Sequence, residues 1–276
     1  MAYATYEFNG ARGVGEVDGD HIVPLEGITE IGVSTSIDVL AAAPRRRADS
    51  VAINDVTLLP VVPNPTKILC VGLNYRDHVT ETKRDLPTYP VMFAKYASSL
   101  IGAYDDIAVP PESEQVDYEG ELAVVIGRSG RRISEQNALD HVLGYSAAND
   151  ITMRDFQYKT HQWIQGKAWD ASTPVGPTVV TPGEVDITAA GIRTIVNGEK
   201  VQESDLSYLI FSIASLISTI STFTTLEPGD IILTGTPGGV GYRRDPQLFL
   251  HPGDSVSVEI DGIGTVRNSV VAQQLS

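Results

Sequence analysis

One cysteine, Cys70, occurs among the 276 residues. A lone thiol cannot close a disulfide within the chain, which argues against a disulfide-stapled secreted scaffold and for a reduced, cytoplasmic setting. Basic residues are also scarce: 20 Lys and Arg face 35 Asp and Glu, for a formal net charge of -15. A chain of that sign repels phosphate backbones, so a nucleic-acid partner is not expected. The N-terminus shows no basic region followed by an apolar run, and no signal peptide is expected. The charge-free stretch 206–226 has about the length of a membrane span, but it is dense in Ser and Thr and runs into Glu227-Pro-Gly-Asp230. It reads as a buried helix with a hydroxyl-rich face, and no membrane association is expected. With 42% hydrophobic and 20% charged residues, the chain has an ordinary globular composition.

Residues 1–62 read as a small N-terminal β-rich domain and 63–276 as the main domain. Tyr3 to Phe8 and Gly13 to Val17 alternate weakly, as short hairpin strands do, and Ile37 to Ala43 fits a short helix. Arg45, Arg46 and Arg47 read as a solvated basic run. Pro60, Pro63 and Pro65 stiffen the connector and set the boundary. Beyond it, Lys67 to Val71, Val91 to Ala94, Leu122 to Ile126, Gly144 to Asn149, Thr178 to Val180, Arg193 to Val196, Ile231 to Leu233 and Ser255 to Ile260 are strand candidates. Ile133 to Val142 reads as a helix. Two Pro-Gly-Asp turns, at 228–230 and 252–254, each start a strand. Helices are few and show no regular strand–helix rhythm, which argues against Rossmann and TIM architectures. The expected class is α+β, mainly β: a mixed sheet curled on itself with peripheral helices.

The strongest chemical signal is Tyr118-Glu119-Gly120-Glu121, leading into Leu-Ala-Val-Val-Ile126. Residues i and i+2 of a strand project from one face, so the two carboxylates are neighbours. They repel unless a cation or a proton lies between them. Gly120 leaves the opposite face open for close packing. A third acid, Asp150, ends the apolar segment that begins at Gly144. Three carboxylates without nearby Cys or His favour a hard ion, Mg²⁺ or Mn²⁺ ahead of Ca²⁺. Local sequence leaves two readings open, a metal site or a solvated strand end.

Several segments resemble the fumarylacetoacetate hydrolase family, in that family's order. They are Gly72-Leu-Asn-Tyr-Arg-Asp-His78, Glu119-Gly-Glu121-Leu-Ala-Val-Val-Ile-Gly127, Asn149-Asp150-Ile-Thr-Met-Arg154-Asp155-Phe-Gln157, Gly166-Lys167-Ala-Trp-Asp170, and the block from Leu226 through Thr234-Gly235-Thr236 to Gly241. The resemblance runs from about residue 66 to the C-terminus. It implies a mixed β-roll, Mg²⁺ or Mn²⁺ on Glu119, Glu121 and Asp150, and a homodimer. It also implies a catalytic base, His78, oriented by Glu81 on the same helix face, in a short segment able to open and close. Lys167 reads as a fixed cation at the ion-bound oxyanion or at the ion's ligands, or as a surface lysine. Tyr75, Arg154, Gln157, Gly235 and Thr236 are implied at the substrate, with Thr236 offering hydroxyl and backbone donors to a carboxylate. For Arg154 a brace on an acid, and for Tyr75 a packing role, stay open. His161 and Trp163 read equally as pocket wall or as packing.

The family's reactions on small 2-oxo acids share one intermediate. A 2-oxo acid chelates the ion through its carboxylate and keto oxygens, and the ion stabilises the enolate formed at C3. The expected reaction is hydrolysis of a carbon–carbon bond in an acylpyruvate or fumarylpyruvate. Alternatives at the same site are oxaloacetate decarboxylation and isomerisation of 2-hydroxyhepta-2,4-diene-1,7-dioate. An alternative of another class is a non-catalytic, metal-dependent binding module.

Overall fold

The structure, a computed structural model, describes residues 1–76 and 86–274. Among these, twelve strands form one large sheet. Its main path runs Val51–Ala52, His21–Pro24, Ala11–Asp18, Ala2–Phe8, Thr173–Val180, Val142–Asn149, Gly120–Ile126, Ile231–Leu233, Ile68–Gly72, Val91–Lys95. A five-stranded sheet, ordered Glu199–Asp205, Gly191–Val196, Ser255–Ile260, Gly264–Ala272, Ile107–Val109, covers one face. Both sheets mix parallel and antiparallel pairs. The expected mainly-β mixed fold is what forms.

The centre of the large sheet is Gly120–Ile126, buried along its whole length. Its alternate residues serve two cores. Leu122, Val124 and Ile126 pack with Ile192, Val258 and Ile260 of the smaller sheet and with Leu216, Ile217 and Ile220. Ala123 and Val125 face the other way, among Leu40, Val61, Val62 and Cys70. A strand apolar on both faces belongs in the middle of a sheet covered on both sides. By the same alternation Glu119 and Glu121 point with Ala123 and Val125, and Gly120 points toward the smaller sheet. A Cβ at Gly120 would lie 2.3 Å from Thr194 Oγ1 and 3.1 Å from Val258 Cγ1, so only glycine lets the two sheets approach there.

The N-terminal hairpins extend the large sheet: Ala2 pairs with Val180 and Tyr3 with Val179. Tyr3, Val14, Leu25 and Leu40 share a core with Ala123, Val175 and Ile231. The three successive arginines are each paired with an acid, Arg45 with Glu16, Arg46 with Asp49 and Arg47 with Asp18. Stretch 206–226 resolves into a short 3₁₀ turn, Leu206–Tyr208, and an α-helix, Ile213–Phe223, capped by Ser212. Ile213, Leu216, Ile217 and Ile220 form its buried stripe. Among the described residues no helix is long and apolar enough to cross a membrane.

Ile133 to Val142, expected as a helix, is helical over Glu135–His141, with 3₁₀ pitch. Only Ala138 of it is buried, so it lacks the i, i+4 apolar stripe that rewards α-helical pitch.

Candidate metal and active site

Pairing builds the acidic cluster. Gly120–Ile126 runs antiparallel to Val142–Asn149, with Gly120 opposite Asn149 and Glu121 opposite Ala148. The next residue, Asp150, therefore arrives beside Glu119 and donates its N–H to the Glu119 carbonyl at 2.8 Å. Asn149 Oδ1 accepts the Glu119 N–H at 2.9 Å. On the other side, Leu233 lies opposite Ala123, so the chain beyond Leu233 passes Glu121. The Gly235 N–H donates to Glu121 Oε2 at 2.8 Å, with Gly235 at φ +100°, a conformation glycine permits. Glu119, Glu121 and Asp150 are all buried, and each offers an oxygen within 4.8 Å of the others.

Buried cations face these acids. Lys167, at the end of the short helix Ile164–Lys167, donates to Glu119 Oε2 and Asp150 Oδ2, both at 2.6 Å. Lys95, at the end of Val91–Lys95, donates to Asp150 Oδ1 at 2.6 Å. Arg154 Nη2 sits 2.7 Å from Glu119 Oε1. Burial works to lower the Lys167 proton affinity, but Asp150 and Glu119 override it and hold the ammonium charged. Burial, then Asp150 and Glu119, push the Glu121 carboxyl well above the ordinary carboxylate range. A carboxyl whose proton affinity is raised by burial and like-charged neighbours is one that a cation would help to ionise. Three buried oxygen donors suit a hard divalent ion, and Glu119, Glu121 and Asp150 are the residues that would hold it.

The other expected site residues divide. Arg154 is a brace, joined through Nε to Asp117 Oδ2 at 2.7 Å and through Nη1 to Gln157 Oε1 at 2.9 Å. Thr236 is buried and its hydroxyl accepts from Gln202 Nε2 at 2.8 Å. Tyr75 is fully buried in the main core, its hydroxyl has no hydrogen-bond partner among the described residues, and burial followed by Glu121 and Asp205 raises its proton affinity. His161 is exposed, whereas Trp163 packs edge-on against Phe93 at 5.6 Å and lies where a Cβ on Gly72 would fall. His78 and Glu81 lie outside the described residues.

Three residues escaped sequence reasoning. Lys95 lies one residue past the expected strand Val91 to Ala94, and Asp117 two residues before Glu119. Gln202, which binds the Gly120 N–H, Thr194, Thr236 and the Pro237 carbonyl, lies in the strand Glu199–Asp205 among charged neighbours. Its one local signal was its place beside the apolar Val201 in an otherwise polar stretch.

A mixed β fold that gathers three buried carboxylates and two buried lysines at one point is that of an enzyme able to hold a divalent cation. Residues 67–271 match the family model described as fumarylacetoacetate (FAA) hydrolase C-terminal, and the chain belongs to the fumarylacetoacetate hydrolase family. The chain is 46% identical over 221 residues to a mitochondrial oxaloacetate tautomerase of Xenopus laevis, covering 79% of this chain and 69% of the relative. A human mitochondrial oxaloacetate tautomerase is 44% identical over 221 residues, covering 79% of this chain and 70% of the relative. Among solved structures, 5-carboxymethyl-2-hydroxymuconate delta-isomerase of Mycobacterium smegmatis superposes with a TM-score of 0.85 at 33% identity, covering 99% of this chain and 100% of that one. The fumarylacetoacetate hydrolase of Exiguobacterium antarcticum does so with a TM-score of 0.84 at 35% identity, with the same coverage. The curated relatives are named as mitochondrial, so they lend no support to the cytoplasmic setting expected from composition.

Proposed function

We propose that this chain moves a proton at C3 of a small 2-oxo diacid, interconverting the enol and keto forms of oxaloacetate or a close unsaturated relative. The observation that carries the reading is the 46% identity to an oxaloacetate tautomerase over 221 residues, a span that includes most of this chain. The site's chemistry agrees with it. A divalent ion on Glu119, Glu121 and Asp150 would supply Lewis acidity to the 2-oxo group and positive charge to attract the diacid. Lys167, buried against Glu119 and Asp150, would supply positive charge beside a substrate oxygen held at the ion. Lys95 fixes Asp150 from the side opposite Lys167. Gln202 holds Thr236 and the turn that follows it, so backbone donors there stay aimed. The C3 proton needs a carrier, and among the described residues no histidine joins the carboxylate group. His78, which the sequence follows with Glu81 three residues on, is the proposed carrier.

A second reading, hydrolysis of an acylpyruvate, is favoured by the spacing of His78 and Glu81, which suits activation of water. The deciding experiment follows the ultraviolet decay of enol-oxaloacetate with enzyme plus Mg²⁺, against Mg²⁺ alone and against enzyme with chelator. Acetylpyruvate is assayed in parallel. Chelator-sensitive acceleration beyond Mg²⁺ alone is expected. Cleavage of acetylpyruvate without that acceleration would replace the tautomerase reading with the hydrolase one.

A further inference from the structure

We infer that Asp117 is a positioning residue that fastens the ion ligand Glu119 and the turn after Thr236 into one unit. The inference rests on the reading of Glu119, Glu121 and Asp150 as a divalent-ion site. Asp117 is fully buried, in the two-residue strand Val116–Asp117 that pairs with Thr152–Met153. All of its accepting capacity is used by donors outside the three cluster carboxylates. Oδ1 accepts the N–H groups of Tyr118 at 2.9 Å and Gly241 at 2.8 Å. Oδ2 accepts Arg154 Nε at 2.7 Å and the N–H of Tyr242 at 3.0 Å.

Two chains of contact leave this carboxylate. The first runs through Arg154, whose Nη2 holds Glu119 Oε1 at 2.7 Å. Gln157 takes the remaining guanidinium nitrogen at 2.9 Å, so the fork cannot swing. The second runs through Gly241 and Tyr242 back along the turn to Thr236. Gln202 fixes the near end of that turn, and Tyr118 donates its hydroxyl to the Gly239 carbonyl at 3.1 Å. Gly241 is required at the far end, because its Cβ would fall 1.7 Å from the Leu248 carbonyl oxygen and 2.7 Å from Asp117 Oδ1. Without the charge of Asp117, the buried guanidinium of Arg154 would have Glu119 as its one carboxylate partner among the described ion pairs. Arg154 would then compete with the ion for Glu119.

Asp117→Asn keeps the size but replaces one oxygen by an amide nitrogen, which cannot accept. Two of the four donors lose their acceptor. The readout is Mn²⁺ affinity of chelator-stripped protein by calorimetry, with the Mn²⁺ electron paramagnetic resonance spectrum as a second signal and a thermal melt for each variant. Partners that orient metal ligands cost about 10–100-fold in metal affinity when removed, and that loss is expected for Asp117→Asn. Arg154→Lys, which keeps the charge but loses the fork, should weaken Mn²⁺ by a similar factor. Asp230→Asn is the control for a merely structural lesion. Asp230 is equally buried, bonds Thr66, Lys67 and the Glu227 N–H, and lies near the far end of the Gly120–Ile126 strand. It should lower the melting temperature and leave Mn²⁺ affinity unchanged. Asp117→Asn binding Mn²⁺ as the native chain does, or Asp230→Asn weakening it equally, overturns the positioning role. If Asp117→Asn does not fold, unchanged affinity in Arg154→Lys overturns it instead. A native chain that binds no Mn²⁺ removes the ion-site reading itself, an outcome distinct from either of these.

Discussion

Lys95→Met removes a charge and little volume from the centre of the site. The ammonium is completely buried and lies 2.6 Å from Asp150 Oδ1. Asp150 keeps Lys167 at 2.6 Å on its other oxygen, so the carboxylate is weakened in its pairing and not abandoned. Breaking a buried ion pair from one side costs about 3–5 kcal/mol, and the remaining lysine puts this case near about 3 kcal/mol. For a chain of this size each kcal/mol moves the melting temperature by roughly 2–4 °C, so the metal-free variant should melt roughly 6–12 °C lower. A divalent ion placed against Asp150 supplies the missing positive charge. The deficit should therefore shrink when Mn²⁺ is saturating, and Mn²⁺ should raise the melting temperature of the variant more than that of the native chain. The assay is a pair of calorimetric melts, one in chelator and one in Mn²⁺. A variant whose deficit is the same in both buffers would refute the placement of Lys95 and the ion on one carboxylate.

Gly120→Ala should cost about 1–3 kcal/mol in a denaturant titration, because the new methyl meets Thr194 Oγ1, which is itself bonded to the buried Gln202. Unchanged stability would show that the two sheets are not in contact at this point. Glu121 gives a pH dependence. Its carboxyl is raised above the ordinary value of 4.5 in the folded, metal-free protein, chiefly by burial and then by Asp150 and Glu119. The folded state thus holds this proton more tightly than the unfolded state does. The stabilisation is complete below the unfolded value and is lost as pH rises through the folded one. An ion displaces the proton, so the stabilisation conferred by Mn²⁺ should grow as pH rises from the ordinary carboxylate value toward the raised one. A Mn²⁺ effect on the melting temperature that is flat or falls as pH rises above the ordinary carboxylate value would contradict it.

The parts of this molecule that were legible in the sequence are those whose chemistry is local. Gly120–Ile126 announces itself because a strand buried on both faces must be a continuous apolar run, and two glutamates at its start must share a side. The strand Thr173–Val180 was readable only from Thr178, since Pro174 and Pro177 disguise its first half. The pairing of Ala2 with Val180 joins residues 178 positions apart, and no local pattern encodes it. Lys95 was invisible for a related reason. Lysine at a strand end is nearly always solvated, and only the packing of Ile68–Gly72 and Val91–Lys95 beside Asp150 buries it. Asp117 and Gln202 act through partners far along the chain, Gly241 and Tyr242 for the first and Thr236 for the second. Their residue types alone carry no sign of that work.

The most direct measurement is anomalous diffraction from crystals soaked in Mn²⁺. One strong peak per chain is expected, within ordinary ligand distance of oxygens from Glu119, Glu121 and Asp150, and it should disappear in Glu121→Gln. No peak among those three carboxylates, in crystals where the site is open to solvent and Mn²⁺ is saturating, would contradict it.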